Sequence, residues 1–169
     1  RRQRQMCIRD SIKQYSKKIK FDTNAQVFID YENKAKGLFW ASTTAKGGIY
    51  GLRIRVFGTK GSLEWVQNDP NYLKYNTANG ATKILERGLN ESGFSKNFSR
   101  IKYGHPEGYL EGFANIYTDV ANALIDQKNG KFNEENHHFP SVEDGLEGIK
   151  FIERSIASSS SNSSWVNFN

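Results

Sequence analysis

The side chains best placed for chemistry are histidines. His105 stands in Tyr103-Gly104-His105-Pro106-Glu107-Gly108-Tyr109, immediately before an apolar-periodic segment. An imidazole at the mouth of a helix can point past the helix N-terminus toward a bound ligand. Its unperturbed pKa of about 6.5 lets it give or accept a hydrogen bond near neutral pH. A histidine satisfied by neighbouring backbone is the competing reading. His137-His138 beside Glu134 and Glu135 offers nitrogen and oxygen donors. In a polar loop, without the i, i+4 spacing that fixes two imidazoles on a helix, that group reads as solvated surface rather than a metal centre. Arg53 and Arg55 read as ion-pairing groups on an outer sheet face or as part of an interface, with ligand contact the lesser reading.

Other chemistries lack their minimal parts. No Gly-x-Gly-x-x-Gly follows a strand and opens a helix, and no phosphate loop of the Gly-Lys-Ser/Thr kind occurs, so the sequence carries no nucleotide-binding signature of its own. Serines are plentiful, but no Gly-x-Ser-x-Gly elbow activates one. The single cysteine, Cys7, excludes a disulfide framework and a cysteine-based zinc site, and a reducing, cytoplasmic compartment is the simple expectation. Glycosylation triplets at Asn90, Asn97 and Asn162 have no weight without a secretory signal.

The net charge of +6 raises nucleic acid as a partner, but its position argues against that. Eight basic residues against Asp10 give the first 20 residues +7, and the remainder carries −1. A phosphate-binding face needs cations spread over a folded surface with aromatics or donors among them, so no nucleic-acid partner is expected. No run approaches the roughly 18 apolar residues of a membrane span, so no membrane partner is expected either. An aromatic share of 13% supplies enough burial to argue against disorder. Arg1 through Ser11 resembles translated adapter sequence of the kind found in metagenomic assemblies. Residues 1–20 are therefore read as a basic non-native or frayed leader, and the chain as N-terminally truncated.

The elements that must position these groups begin after residue 20. Ala25–Tyr31 and Leu38–Thr43 flank a polar turn; Leu52–Val56 and Ser62–Val66 flank Gly58-Thr59-Lys60-Gly61 and alternate apolar with polar. Tyr72–Tyr75 and Thr82–Glu86 flank Asn79-Gly80 as a weaker pair, and residues 88–101 read as loop. Pro106 suits a first helical turn, with Glu107 near the positive end of the helix dipole. Leu110, Phe113, Ala114, Tyr117, Val120, Ala121, Leu124 and Ile125 then keep helical spacing until Asn129-Gly130. After a polar loop over 131–139, Ser141 with Asp144 forms a capping box, and Val142, Leu146, Ile149, Ile152 and Ile156 make one stripe of a second helix. The expected fold is α+β: an open, mainly antiparallel sheet of about six strands with helices packed on one face, over residues 21–157. Residues 158–169 read as a Ser-rich tail, with Trp165 docking back as an option.

Four segments in register carry a resemblance. They are Tyr31-Glu32-Asn33-x-Ala35-Lys36-Gly37-x-Phe39-Trp40-Ala41-Ser42; Gly51-Leu52-Arg53-Ile54-Arg55-Val56-Phe57-Gly58-x-Lys60-Gly61-Ser62-Leu63-Glu64-Trp65; Gly104-His105-Pro106-Glu107-Gly108-Tyr109-Leu110-Glu111-Gly112-Phe113-Ala114-Asn115-Ile116-Tyr117; and Val142-Glu143-Asp144-Gly145-Leu146-x-Gly148-x-x-Phe151-Ile152-Glu153. Together they resemble the C-terminal domain of the glucose-fructose oxidoreductase / inositol dehydrogenase / MocA family.

The resemblance implies a domain of an NAD- or NADP-dependent oxidoreductase acting on a sugar, inositol or related polyol. In such enzymes a separate Rossmann domain binds the cofactor, and the open sheet of the C-terminal domain walls the substrate pocket and commonly builds a homo-oligomer. The family's proton-handling lysine lies in a Glu-Lys-Pro motif that this sequence lacks; its three prolines follow Asp69, His105 and Phe139. The Asp-x-x-x-His motif belongs upstream of residue 21. The implied roles here are therefore pocket-wall roles, with no catalytic, cofactor-binding or metal residue in this chain, which alone is expected to be inactive. His105 and Tyr50 are the expected hydroxyl-binding groups, Tyr50 at a position where related sequences often carry Asn, and Trp40 is a stacking wall for a sugar ring. The alternative is a stand-alone dimerising or carbohydrate-binding module without redox activity.

Overall fold

The computed structural model describes residues 2–5, 22–47, 51–89 and 93–168. The chain forms two compact units, one from residues 1–48 with 140–169 and the other from 49–139. The class is α+β, and every strand pairing described is antiparallel.

In the first unit the strands are β1 (Arg2–Gln5), β2 (Asn24–Asp30), β3 (Lys36–Ser42) and β8 (Val166–Asn167), ordered β3-β2-β1-β8. The hairpin β2–β3 turns through Asn33, whose side-chain oxygen accepts from the N–H of Ala35, and Lys34, which takes the left-handed conformation at φ +69°. Helix α2 (Val142–Ser160) lies against β1 and β8. Its start is the capping box read from sequence: Ser141 Oγ accepts from the Asp144 N–H at 3.2 Å, and Asp144 Oδ2 accepts from the Ser141 N–H at 2.8 Å. The Ser141 N–H, with the Ser141 hydroxyl donating to the same oxygen at 3.0 Å, holds the Asp144 carboxyl below its ordinary pKa.

Two expectations change here. Residues 2–5, read as leader, pair with both β2 and β8, because a backbone ladder needs no apolar alternation and Arg-Gln-Arg-Gln shows none. The Ser-rich stretch, read as tail, instead ends α2 and returns as a strand. Ser158 is fully buried and donates through Oγ to the Ser164 carbonyl at 2.7 Å, while Phe168 is buried. A run of serines reads as polar, yet each hydroxyl that bonds a nearby carbonyl satisfies its own burial. The packing face of α2 also differs from the stripe expected. Ser155 and Ser158 are buried, and Phe151 meets Phe39 edge-on at 5.3 Å, whereas Val142, Leu146, Ile149, Ile152 and Ile156 stand exposed.

The second unit carries β4 (Arg53–Gly58), β5 (Gly61–Val66), β6 (Tyr72–Thr77) and β7 (Thr82–Glu86) as a meander in that order. The six strands expected from sequence are thus β2 to β7, with short β1 and β8 added, and they fall into two four-stranded sheets. Register puts Ile54, Val56, Leu63, Trp65, Leu73, Tyr75 and Leu85 on one face and Arg53, Arg55, Glu64 and Lys74 on the other, with Glu64 opposite both Arg55 and Lys74. Trp65 anchors its indole N–H on the Pro70 carbonyl at 3.0 Å. A 3-10 segment (Gly93–Phe98) and an irregular loop lead to α1 (Tyr109–Lys128), whose buried residue is Ala123. Among the described residues no helix is long and apolar enough to cross a membrane.

Candidate functional site

The loop that carries His105 is built from backbone rules on both sides of it. Lys102 accepts from the His105 N–H at 3.2 Å across a turn whose third residue, Gly104, sits at φ +84°. That left-handed position favours glycine. Pro106 follows and restricts His105 to extended backbone. Gly88 clears the approach from the other side, since a Cβ there would lie 3.2 Å from the Tyr103 nitrogen.

What holds this loop down is a buried carboxylate. Glu107 is 8% exposed. Its Oε1 accepts from the Arg100 N–H at 2.6 Å and from the Ile101 N–H, and lies 3.2 Å from Arg87 Nη1. Arg87 in turn donates to the Ile101 carbonyl at 3.1 Å, to the His105 carbonyl at 2.6 Å and to Asn71 Oδ1 at 3.1 Å. Asn71 completes the set by accepting from the Glu107 N–H and donating to the Glu107 carbonyl, both at 2.9 Å. Arg100 ties the same loop to α1 through Asn115 Oδ1, the Ala114 carbonyl and Thr118 Oγ1. Glu107 Oε1, the Arg87 guanidinium and the Asn71 carboxamide thus each meet partners of opposite character, the condition under which a buried charge is tolerated.

The sequence reading placed Pro106 in the first helical turn and Glu107 near the positive end of the helix dipole. The helix begins two residues later at Tyr109, and the residue that serves its start is Glu111, whose Oε2 accepts from the Gly108 N–H at 2.9 Å. That bond is the main cause holding the Glu111 carboxyl below its ordinary pKa. Pairing in three dimensions set the role of Glu107, and only its separation from Arg87 and Asn71 in sequence concealed it.

With its backbone gripped, the His105 side chain is exposed and makes no hydrogen bond or ion pair among the described residues. Trp40, on β3, is also exposed, with its indole N–H fixed to Asn24 Oδ1 at 2.9 Å across the β2–β3 pair. It projects from the sheet face opposite Phe39, the residue that meets α2. Trp40 belongs to the first unit and His105 to the second. Tyr50 lies outside the described residues.

A second polar cluster corrects the reading of the 131–139 loop as solvated. The His137 side chain is 6% exposed, with Nδ1 3.1 Å from Asp119 Oδ1 and Nε2 3.3 Å from Asp126 Oδ2 on α1. Phe132 stacks on its ring at 5.5 Å and 8°. The His138 N–H donates to Asp119 Oδ2 at 2.6 Å. Burial pushes the Asp119 carboxyl up, but the His138 N–H and the His137 imidazole outweigh it and leave the group below its ordinary pKa. The cluster fastens the loop to α1. Among the described residues no three histidine, cysteine or carboxylate side chains are grouped to hold a metal ion. A shallow hollow of about 370 Å³ opens among Val56, Gly61, Leu63 and Tyr75, apart from His105, with Lys60 as its only charged lining residue.

At the starts of α1 and α2 the helix's own carboxylates, Glu111 and Asp144, accept from the Gly108 and Ser141 N–H groups, where helix dipole and N–H groups favour an anion.

Comparison with known proteins places the chain. The model of the GFO_IDH_MocA_C family, described as the C-terminal alpha/beta domain of an oxidoreductase family, matches residues 4–168. The chain belongs to this family. YfiI, an uncharacterized oxidoreductase of Bacillus subtilis (strain 168), is 38% identical over 150 residues, which are 87% of this chain and 38% of that protein. An oxidoreductase from Sinorhizobium meliloti superposes with a TM-score of 0.85 at 36% identity over 99% of this chain and 46% of its own. An inositol dehydrogenase homolog from Azotobacter vinelandii, solved with NADH and myo-inositol, gives 0.84 at 30% identity over 98% and 43%. The chain therefore spans less than half the length of these GFO_IDH_MocA_C relatives.

Proposed function

We propose that this chain is the substrate-binding domain of an NAD- or NADP-dependent oxidoreductase acting on a sugar, inositol or related polyol. The single observation that carries the reading is the presentation of His105: a paired backbone N–H and carbonyl, and an imidazole with no partner among the described residues, at the loop that leads into α1. An imidazole held in this way can donate to or accept from a hydroxyl group near neutral pH. Trp40, exposed and fixed by Asn24, offers an apolar ring face for the C–H surface of a cyclic polyol. Tyr50 is proposed as a further hydroxyl-binding group.

The dinucleotide is proposed to bind a separate domain of a longer protein, which would supply hydride chemistry when loaded. The capped helix starts described above support that division. So do the exposed apolar stripes of α1 and α2, which suit surfaces covered in a larger protein. Self-association through an open sheet face is proposed on the same ground, since the apolar face of β4–β7 includes exposed Ile54, Val56, Leu63 and Leu85.

The test is made on the full-length gene product. Dinucleotide reduction in the presence of myo-inositol or an aldose is the expected result. His105→Ala should raise KM about three- to tenfold, the size of one hydrogen bond, with kcat little changed. A protein that binds such a sugar but no dinucleotide would instead be a carbohydrate-binding module.

A further inference from the structure

We propose that Glu107, Arg87 and Asn71 are positioning residues that set substrate affinity by fixing where the His105 imidazole stands. The inference rests on the reading of His105 as a substrate-facing group. Its own basis is the pattern of the hub, which grips main chain on both sides of His105 and leaves the imidazole untouched.

Before His105, Glu107 Oε1 holds the N–H groups of Arg100 and Ile101, and Arg87 holds the Ile101 carbonyl. At His105 itself Arg87 takes the carbonyl at 2.6 Å. After it, Asn71 holds both the N–H and the carbonyl of Glu107. Gly104 supplies the left-handed turn position before His105, and Pro106 restricts the backbone of His105 itself. What remains to the histidine is rotation about its own side-chain bonds.

Stability alone is a weak reason for such an arrangement. A buried ion pair is often no better for folding than apolar residues of the same size. The planar guanidinium of Arg87 does what an apolar side chain cannot: it meets a carboxylate, a carboxamide oxygen and two carbonyls in fixed directions. A binding group must be held to within about half an ångström of its productive place, and paired main chain is a means to that end.

A double-mutant cycle on KM in the full-length protein tests this, with the polyol turned over fastest as substrate. Glu107→Gln should raise KM about three- to tenfold with little change in kcat, and Arg87→Lys should do the same, since lysine keeps the charge but not the two carbonyl contacts. The decisive result is non-additivity. In the His105→Ala background, neither substitution should raise KM further, because the group they position is gone. Additive effects on KM would overturn the proposal, as would an unchanged KM in Arg87→Lys, the variant to use if Glu107→Gln does not fold. If His105→Ala alone leaves KM unchanged, the substrate-facing reading fails, and this proposal fails with it.

Discussion

The guanidinium of Arg87 stands 3.2 Å from the buried carboxylate of Glu107 and at the same time holds the carbonyl of His105 at 2.6 Å. One side chain thus joins the end of β7 to the residue before a proline at the helix mouth. An exposed pair of the same length would contribute little, because water screens it and both side chains give up freedom. Here the two side chains are 17% and 6% exposed, so removing either partner strands the other in a site from which water is largely excluded.

Gly88 follows Arg87 and makes that arrangement possible. It sits at φ +80°, and an added Cβ would lie 3.2 Å from the nitrogen and 3.3 Å from the Cα of Tyr103. Gly88→Ala combines an unfavourable φ with pressure on main chain, and is expected to cost about 1–3 kcal/mol. Gly130, at φ +67° with nothing within 4 Å, is the control, since alanine there meets only the φ penalty of about 1 kcal/mol. The shift of the urea midpoint measures both. Equal losses at the two sites would mean that the approach of Tyr103 does not matter.

The loop carrying His137 should respond to acid through Asp119. Its carboxyl is held below the ordinary value of 3.8 in the folded protein, so its stabilisation is complete above that pH and is lost as pH falls through the folded value. Asp119→Asn should lower stability by about 1.5–3 kcal/mol at pH 7, the range for a hydrogen bond to a charged group. Near pH 2 the substituted and unsubstituted chains should converge. Urea midpoints at the two pH values decide the matter, and a gap that does not narrow in acid would remove Asp119 as its cause.

Trp40 offers a separate check on the polyol reading. Trp40→Ala is expected to raise KM several-fold, in keeping with about 0.5–1.5 kcal/mol for an aromatic contact. Asn24→Ala keeps the indole but frees its N–H from the 2.9 Å bond, so a smaller rise is expected. Steady-state kinetics of the full-length protein give both values. An unchanged KM in Trp40→Ala would return that ring to the ordinary exposed surface.

The sequence disclosed those parts of the fold whose signals are local. Alternation over Leu52–Val56 and Ser62–Val66, the Ser141–Asp144 box and the periodic segment after Tyr109 all correspond to elements found. The β1 strand escaped because Arg-Gln-Arg-Gln has no apolar alternation, and its pairing depends on partners at residues 27–30 and 166–167. The stripe from Val142 to Ile156 was correctly periodic, but periodicity does not say which face meets the sheet, and the smaller face of Ser155 and Ser158 does. In the candidate site His105 could be picked out from its place between Gly104 and Pro106. Glu107 could not be read as a hub, because Arg87 and Asn71 lie 20 and 36 residues away and no local pattern links them.

Ser158 makes the most direct test of the C-terminal segment as part of the fold. It is fully buried near the end of α2, and its hydroxyl donates to the Ser164 carbonyl at 2.7 Å, four residues before Phe168 is reached on the far side of β8. Ser158→Ala removes the donor with almost no change of volume, leaving that carbonyl without its partner, and is expected to cost about 0.5–1.5 kcal/mol. Ser158→Leu must force extra atoms into a filled space, for about 1–3 kcal/mol. Limited proteolysis should find residues 161–168 cut faster in both variants, in the same order as their loss in urea midpoint, because β8 pairs with β1 only while the turn after α2 is held. Cleavage equally fast in the unsubstituted chain would restore the Ser-rich stretch to a tail.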